Sequence, residues 1–451
     1  TGDLDEIGQL YRYQQFLPNL VHDGNLPKAS LFWLEDFWRR GQKKARSCQL
    51  LVTNHAYLVT RLEDDPSLLD GRILILDEAQ KILLTLENLL QKSYLLNDIV
   101  DQLDQALVRE EGMLQKRLME SIRFELCHLM NQFLSGKRRM CPPTTMAQLQ
   151  QDFSELEVQG FQDYQRFFCT DGEFWLSASD LSSKKVVISS SRNQRLLFSE
   201  IFPESCQLLA VSATLEISSR VSLPELMGFP HAAFDRLDEN FQENQEILVV
   251  KDFPLVTESS QEDYAQALVE VLEDLSYLEE PMLVLFTSKD LLLQVSDSLS
   301  LSHLAQYKNG DPAQLKKRFE RGDSRLLLGT GSFWEGVDFA TQSRVIEVVT
   351  RLPFQNPEDP FTKKMNQELR LEGKNPFYDY QLPMAIIRLK QAIGRTMRRL
   401  GQRSSVLILD SRMTSKRYGK QISKALSQTS RVREVGKEQV FSKVQEFLHK
   451  Q

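Results

Sequence analysis

The sequence predicts an α/β protein built on buried parallel strands, with a helical segment inserted in its first half. Short apolar runs bounded by polar turns are typical of strands in a parallel sheet that is covered on both faces. From residue 247 onward such runs alternate with helical patterns, which indicates a right-handed parallel sheet. Residues 81 to about 170 instead carry apolar side chains at helical spacing, so a helical insertion is predicted there.

Each element rests on a local pattern. The chain is predicted to be helical from residue 7, and an apolar run at 49–52 is predicted as the first strand. In the insertion, apolar residues at 96, 100, 103 and 107 and again from 114 to 129 indicate amphipathic helices, which a Cys-Pro-Pro sequence at 141–143 interrupts. The other predicted strands are 72–76, 186–188, 207–211, 247–250, 282–286, 325–328, 345–349 and 406–409, with an acidic helix at 263–278.

Length and composition are those of an ordinary globular protein. The 451 residues suggest about three domains, and 55 Lys and Arg against 62 Asp and Glu give a net charge of −7. No run approaches the ~18–20 apolar residues of a membrane-spanning helix, and no basic-then-apolar leader opens the chain. We therefore expect a cytoplasmic protein with no membrane partner. Its five scattered cysteines form no C-x-x-C pair, and they are predicted to be reduced and mostly structural.

The charges are unevenly distributed. Residues 258–280 carry eight acids and no base, whereas residues 381–420 carry ten Lys and Arg and one acid. The basic stretch suits contact with phosphates. The alternative is a solvated basic face.

Two polar segments follow predicted strands of the first half. Residues 77–80 read Asp-Glu-Ala-Gln, at the strand end where α/β sheets bind ligands. In nucleotide hydrolases one such acid holds magnesium and another positions water, although acids are also favoured at a helix N-terminus by its dipole. Ser212-Ala213-Thr214 is a weaker signal, because Ser and Thr favour turns in general.

Two segments of the second half are more specific. Residues 329–339 contain three glycines, which allow close backbone approach to a phosphate. Phe333 and Trp334 lie in this polar turn and are predicted to be exposed and functional, the alternative being a buried aromatic corner. Arg395 and Arg398 share one helix face, and two guanidinium groups there suit a triphosphate. The alternative is an exposed basic helix.

The order and spacing of these segments resemble the DinG and XPD-like DNA helicases of superfamily 2. The sequence DEAQ resembles motif II of the family, and SATL at 212–215 resembles motif III. The segments VLFTS, GTGSFWEGVDF and QAIGRTMRR, which begin at 284, 329 and 391, resemble motifs IV, V and VI. The resemblance runs from about residue 50 to the end, and RLPFQNPEDP at 351–360 and LILDSR at 407–412 are typical of DinG.

This resemblance implies two RecA-like parallel-sheet domains, the first incomplete, with an inserted helical arch. The first motor domain would comprise residues 1–80 and 171–235, the arch residues 81–170, and the second motor domain residues 236–451. It also implies a monomer that moves 5′-to-3′ on single-stranded DNA and acts on forked DNA in repair or replication.

The resemblance also assigns roles to individual residues. ATP would bind between the motor domains, with Asp77 holding Mg²⁺, Glu78 the attacking water, and Arg395 and Arg398 reaching the phosphates. Further residues of the nucleotide site would be Gln80, Gly336, Asp338, Gln391 and Gly394. The DNA path would use Asn54, His55, Thr287, Ser288, Phe333, Trp334, Arg351 and Arg388.

The chain departs from the family pattern in three respects. Gln80 replaces the usual His of motif II, and we expect its amide to bond across to the Ser212–Thr214 turn. None of the four Gly-Lys pairs is followed by Ser or Thr, as the phosphate-binding loop G-x-x-x-x-G-K-S/T requires. That loop lies further N-terminal in the family, so we expect a fragment of a longer protein.

The third departure is that only Cys48 falls where the family places an iron–sulfur cluster. We therefore expect no cluster, as in DinG-like proteins of Gram-positive bacteria, which often carry an N-terminal exonuclease domain. An alternative function is a helicase-shaped module that binds single-stranded DNA for a fused nuclease without unwinding. A helicase directed at double-stranded RNA or tRNA is disfavoured by the SFWEGVD sequence.

Overall fold

The computed structural model describes residues 37–134, 140–158, 160–178, 185–192, 196–212, 214, 217, 221–233, 235, 242–256, 258–334, 337, 339, 342–397 and 401–449. The helices predicted before residue 37 lie outside this range. The chain divides into two compact units, one of Thr1–Leu76 with Glu200–Leu209 and one of Asp77–Ser199 with Ala210–Gln451.

Among its described residues, the first unit contains two α-helices and strands of a short sheet. Helices α1 (Phe37–Ser47) and α2 (His55–Asp64) precede strand β1 (Ile73–Leu76), which pairs with β5 (Gln207–Ala210). The predicted strand at 49–52 is not formed, and Leu50 and Val52 are 81% and 85% exposed. A strand exists only where a neighbour completes its hydrogen bonds, and among the described residues the short sheet ends at β1 and β5.

The second unit begins with helix α3 (Lys81–Leu90) and the inserted segment. The insertion contains α4 (Leu96–Arg109), α5 (Met113–Leu134), α6 (Pro143–Glu155) and α7 (Gln162–Phe168), as the helical spacing predicted. Its helices bury a single core, in which the Phe168 ring stacks on those of Phe153 and Phe174, with centroids 4.5 and 6.1 Å away.

The prediction of a purely helical insertion was wrong. Residues 91–95 form strand β2 (Gln91–Leu95), which joins β3 (Gly172–Ala178) and β4 (Val186–Arg192) in an antiparallel sheet of order β2-β4-β3. The partner of β2 lies almost a hundred residues away, and Ser93 and Ser189 share a hydrogen bond across the pair. Because β3 and β4 contribute to the same core, the packed insertion extends beyond residue 170.

The remainder of the second unit is built on a parallel sheet, which confirms the predicted fold class. Its seven described strands have the order β12-β6-β11-β10-β7-β9-β8, and every pairing is parallel. The strands are β6 (Gln242–Val250), β7 (Met282–Leu285), β8 (Leu304–Ala305), β9 (Leu326–Gly329), β10 (Arg344–Val349), β11 (Arg403–Ile408) and β12 (Ser430–Val435).

Helices cover this sheet and complete its core. Aliphatic side chains of β6, β7, β9, β10 and β11 pack against helices that follow the strands, as strand–helix alternation requires. None of the helices described has the length and apolar character needed to cross a bilayer. The remaining helices are α8 (Phe198–Ile201), α9 (Leu223–Met227), α10 (Gln261–Ser276), α11 (Lys289–Ser298), α12 (Pro312–Glu320), α13 (Pro360–Leu371), α14 (Leu382–Ile393), α15 (Arg412–Ser415), α16 (Arg417–Leu426) and α17 (Val440–Leu448).

Gly419 on α16 is a point of close backbone approach, and its substitution by alanine should be destabilising. A Cβ there would lie 1.9 Å from the carbonyl oxygen of Met413, a backbone atom that cannot rotate away. We expect Gly419→Ala to lower the free energy of unfolding by about 2 kcal/mol or more, although alanine normally stabilises a helix relative to glycine. Urea unfolding followed by circular dichroism measures this change.

Gly394→Ala is the matched control, because nothing lies within 4 Å of the Cβ it would add. Its free energy of unfolding should stay within about 0.5 kcal/mol of the wild-type value. Equal unfolding midpoints for the two variants would contradict the close approach at Gly419.

Candidate functional site

The acidic turn directly follows β1. Asp77 and Glu78 are exposed, whereas Gln80 is buried. The N–H of Glu78 donates to Asp77 Oδ1 (3.0 Å), and Glu78 adopts φ = 50°. This left-handed conformation costs a non-glycine residue of order 1 kcal/mol or more, and such strain is found most often at functional sites. The turn thus presents two carboxylates to solvent at the carboxyl end of a strand.

A chain of hydrogen bonds connects this turn to the second polar turn. The amide N–H of Gln80 donates to Glu78 Oε2, and the hydroxyl of Ser212 donates to the amide oxygen of Gln80. The N–H of Thr214 in turn donates to Ser212 Oγ (3.0 Å). The predicted bond from Gln80 to the Ser212–Thr214 turn is therefore confirmed.

The exposed carboxylates of the acidic turn are candidate metal ligands. Within the described ranges, no group of three or more His, Cys, Asp or Glu side chains could hold a metal. Mg²⁺ is commonly bound through one or two carboxylates together with substrate phosphates and water. The exposed carboxylate of Asp77 suits that arrangement.

The glycine-rich turn after β9 has a different character from the one predicted. Phe333 is 1% exposed and Trp334 is 8% exposed, and the indole N–H of Trp334 donates to the Phe286 carbonyl (2.9 Å). Gly329 makes this packing possible, since a Cβ there would lie 2.3 Å from Cγ of Phe333. The prediction of exposed aromatic side chains was wrong, and the buried aromatic corner is what forms.

The arginine-bearing segment after α14 is fixed to the sheet by a buried polar network. The segment continues as a 3₁₀ turn, Gly394–Thr396, with Gly394 exposed and Thr396 fully buried. The amide of Gln245 on β6 donates to the Ile393 carbonyl (2.9 Å) and to Thr396 Oγ1 (2.8 Å). The hydroxyl of Ser404 on β11 also donates to Thr396 Oγ1 (2.6 Å). These bonds fix the backbone around Arg395.

The positive charge of Arg395 lowers the pKa of a buried carboxyl group in the middle of the sheet, that of Glu347. Glu347 lies on β10, paired with Val406 on one side and Leu283 on the other, and is 1% exposed. Neither carboxyl oxygen of Glu347 has a hydrogen-bond partner in the described part of the chain. Burial raises the pKa of Glu347 to about 8, although the positive charge of Arg395 opposes that shift.

A cavity of about 340 Å³ brings several predicted residues together. Helix α3 and the segments after β7, β9 and β10 line it together with α14. The amide nitrogen and oxygen of Gln391 are buried in this region without a partner among the described residues. The predicted site residues that line this cavity are Thr287, Trp334, Arg388 and Gln391.

The other predicted DNA-path residues have local structural contacts. Arg351 places its guanidinium 4.6 Å from the ring centre of Tyr264. Ser288 caps α11, accepting a bond from the N–H of Leu291, and Asn54 caps α2 in the same way through Tyr57. His55 begins α2, in the first unit. The remaining predicted site residues, Gly336, Asp338 and Arg398, fall outside the described residues.

Sequence patterns did not identify two buried acids near these loops. Asp410 is fully buried, accepts the N–H of Leu352 (2.8 Å) and forms a two-pronged ion pair with Arg412. Glu87 on α3 contacts Arg388 and Tyr380. A single acid inside an amphipathic helix, such as Glu87, gives no sequence signal, whereas Asp410 lies in the LILDSR segment that resembles DinG.

Comparison with known proteins agrees with this architecture. Residues 271–429, which lie in the region of the seven-stranded sheet, match the helicase C-terminal domain family. The 3′-5′ exonuclease DinG of Bacillus subtilis is 29% identical over 303 residues, covering 62% of this chain and 32% of that protein. The ATP-dependent DNA helicase YoaA of Escherichia coli is 34% identical over 149 residues, covering 33% of this chain and 23% of that protein.

Solved structures show the same fold. A structure of XPD without ligand has a TM-score of 0.55 at 17% identity, covering 81% of this chain and 78% of that one. Xpd4 of S. tokodaii has a TM-score of 0.52 at 14% identity, covering 88% and 80%. The chain is therefore similar in sequence to DinG and YoaA proteins and in fold to XPD, and its matches span about a third or less of the length of the curated relatives.

The buried position of Glu347 predicts a specific pH dependence of stability. Its pKa rises from 4.5 to about 8 on folding, so the folded protein favours the protonated form. The resulting stabilisation is fully present below about pH 4.5 and is lost as pH rises towards 8. Glu347→Gln removes this dependence and should gain about 1 kcal/mol per pH unit relative to wild type between about pH 5 and 8.

Urea unfolding at about pH 5, 6.5 and 8 tests this prediction. Glu270→Gln is the control, because Glu270 is half exposed, pairs with Lys437 and has a lowered pKa. A wild-type-minus-variant difference for Glu347 that stays constant over this range would contradict the assignment.

Proposed function

We propose that this chain is the motor part of a longer ATP-dependent DNA helicase, which couples ATP hydrolysis to movement on single-stranded DNA. The observation that carries the proposal is the bridge formed by Gln80. It joins the exposed acid pair of one polar turn to Ser212 of the other, so a change at the acids has a direct path to a second segment. The sequence similarity to DinG and YoaA supports the same function.

Each predicted residue of the nucleotide site would have a separate role in ATP hydrolysis. Asp77 would hold Mg²⁺, which neutralises phosphate charge when bound. Glu78 would orient the attacking water from its strained turn. Arg395 and Arg398 would meet the charge that develops on the transferring phosphoryl group. Gln391, whose amide has no hydrogen-bond partner among the described residues, lies four residues before Arg395, where it would orient the nucleotide.

Single-stranded DNA would contact Thr287 and Arg388 at the mouth of the 340 Å³ cavity. Because Phe333 and Trp334 are buried, phosphate contacts rather than aromatic stacking would supply most of the affinity. The protein would be a cytoplasmic monomer. It would move 5′-to-3′, act on forked DNA and serve in repair or replication.

A second candidate rests on the name of the Bacillus subtilis relative, a 3′-5′ exonuclease. In that case the chain would hold single-stranded DNA for a nuclease domain of the full-length protein and would not unwind it. A helicase needs ATP hydrolysis to move on DNA, whereas a module that only holds DNA does not. Variants of Arg398 that lose hydrolysis therefore distinguish the two candidates.

Replacing Arg398 should distinguish an ATP-dependent helicase from a module that only binds single-stranded DNA. In the full-length protein, Arg398→Ala should reduce DNA-stimulated ATP hydrolysis by at least about a hundredfold, because an arginine at the transferring phosphoryl group acts mainly in the transition state. Arg398→Lys should not restore it, since an ammonium lacks the planar fork of a guanidinium. Affinity for single-stranded DNA without nucleotide serves as the control and should barely change. Persistent hydrolysis with collapsed DNA affinity would overturn the nucleotide-site assignment.

Binding of single-stranded DNA should depend strongly on salt and weakly on sequence. Each phosphate contact releases counterions, so three or more contacts should weaken binding at least about tenfold between 50 and 200 mM salt. Fluorescence anisotropy with an oligothymidine and a mixed-sequence strand of equal length measures both effects. Affinity that does not change with salt, or a tight preference for one sequence, would exclude this mode of binding.

A further inference from the structure

Helix α3 carries one buried carboxylate, Glu87, whose partners all come from other segments. The hydroxyl of Tyr380 donates to Glu87 Oε1 (2.6 Å), and the amide of Gln355 donates to both carboxylate oxygens (3.2 Å each). The guanidinium of Arg388 lies 3.5 Å from Glu87 Oε2. Tyr380 precedes α14, Arg388 lies on it, and Gln355 follows β10, so three donor groups converge on one acid.

Glu87 is not needed to hold α3 in place by packing. The same helix buries Ile82, Leu83, Leu86 and Leu90, and these aliphatic side chains already provide an apolar face. Removing a carboxylate from water costs several kcal/mol, and an apolar residue at such a position is often as stable or more so. Burial raises the pKa of Glu87 despite the opposing effects of Arg388, Tyr380 and Gln355. The acid therefore calls for an explanation other than fold stability.

The three donors have the chemistry of a phosphate site. A guanidinium, a phenolic hydroxyl and a side-chain amide are typical donors to the backbone phosphates of nucleic acids, and carboxylate and phosphate oxygens bind to Arg in similar ways. Arg388 is also held by a bond to the Pro353 carbonyl (3.4 Å), so its position does not depend on Glu87 alone.

Space for a ligand exists beside Glu87 and Arg388, the member of the three donors that lines the cavity. The 340 Å³ cavity is lined by Glu87 and Arg388 and also by Asn88, Thr287 and Gln391, whose polar groups could meet a nucleotide. Pockets of this size accept ligands of about nucleotide dimensions.

We propose that Arg388, Tyr380 and Gln355 form a cradle for one backbone phosphate of single-stranded DNA, and that Glu87 fills this cradle when DNA is absent. The inference rests on the proposed function and adds a site and a means of regulation to it. Entry of a DNA phosphate displaces Glu87 and breaks its contacts with α14, while the apolar face of α3 stays packed. Because α3 begins at Lys81, next to Gln80, the displacement reaches the acidic turn and links DNA binding to the nucleotide site.

The test compares DNA binding by wild type, Glu87→Gln and Tyr380→Phe at several salt concentrations. Glu87→Gln keeps the size of the side chain but removes the competing charge, so affinity for an oligothymidine should rise about tenfold at low salt. The slope of log affinity against log salt should steepen by about 0.7, because in wild type the displaced Glu87 carboxylate takes up a cation and offsets the counterion that this phosphate releases. Tyr380→Phe should weaken binding about threefold to tenfold, and this variant keeps the test decisive if Glu87→Gln folds poorly.

Glu358→Gln is the matched control for net charge, because it removes an exposed acid of the loop after β10 that pairs with Lys363 on α13. Its affinity and salt slope should equal those of wild type. The cradle proposal is wrong if Glu87→Gln changes neither the DNA affinity nor its salt slope and Tyr380→Phe binds DNA as wild type does. Glu87 would then have a structural role only.

Thermal unfolding in the presence of inorganic phosphate tests the cradle independently of the proposed function. Glu87→Gln should be stabilised against heat by millimolar phosphate more than wild type or Glu358→Gln, whether or not the chain binds DNA. If wild type does not bind single-stranded DNA but the variant responds to phosphate, the proposed function fails and the anion site stands. If no variant responds to phosphate and DNA binding is unaffected by Glu87→Gln, the anion site is excluded.

Discussion

The parallel order of the seven-stranded sheet is the constraint on which the candidate site depends. Strands β7, β9, β10 and β11 are neighbours that run in one direction, so the segments that follow them emerge at the same edge. Helix α14 crosses from this edge, where Arg388 contacts Pro353, to the start of β11, where Thr396 bonds to Ser404. Arg388 and Arg395 are therefore about 10 Å apart along α14 and the 3₁₀ turn that follows it, a separation that suits the roles proposed for them at DNA and at the nucleotide.

Buried polar groups hold the emerging segments at fixed positions. Asp410 joins the start of α15 to the backbone after β10, and the hydroxyl of Tyr264 donates to the carbonyls of Thr350 and Leu409. Leaving any of these groups without its partner would cost about 1–3 kcal/mol, so each bond opposes displacement of its loop. The DinG-like sequences at 351–360 and 407–412 thus include residues that support the site as well as candidates for contact with a ligand.

Elements that local pattern determines could be predicted from the sequence, whereas those set by distant contacts could not. Five of the seven strands described in the second half occur within a few residues of their predicted positions because apolar runs of this length must be buried, whereas β8 and β12, which were not predicted, are not marked by such runs. Strand β2 exists only because β4 pairs with it from across the insertion. The burial of Phe333 depends on the missing side chain of Gly329 and on space beside the sheet, and neither is visible in a local pattern. Glu87 has no periodicity to mark it, and its importance appears only when Tyr380, Gln355 and Arg388 converge on it.

The exchange of His for Gln at position 80 illustrates how a departure from a family pattern can preserve a contact and change its control. The bridge requires one donor towards Glu78 and one acceptor towards Ser212, and the amide of Gln80 supplies both at once. A neutral imidazole could do the same, but protonation near pH 6.5 would turn its acceptor nitrogen into a second donor and break the bond from Ser212. An amide does not titrate in this range. The link between the acid pair and the second polar turn in this chain is therefore independent of protonation at position 80.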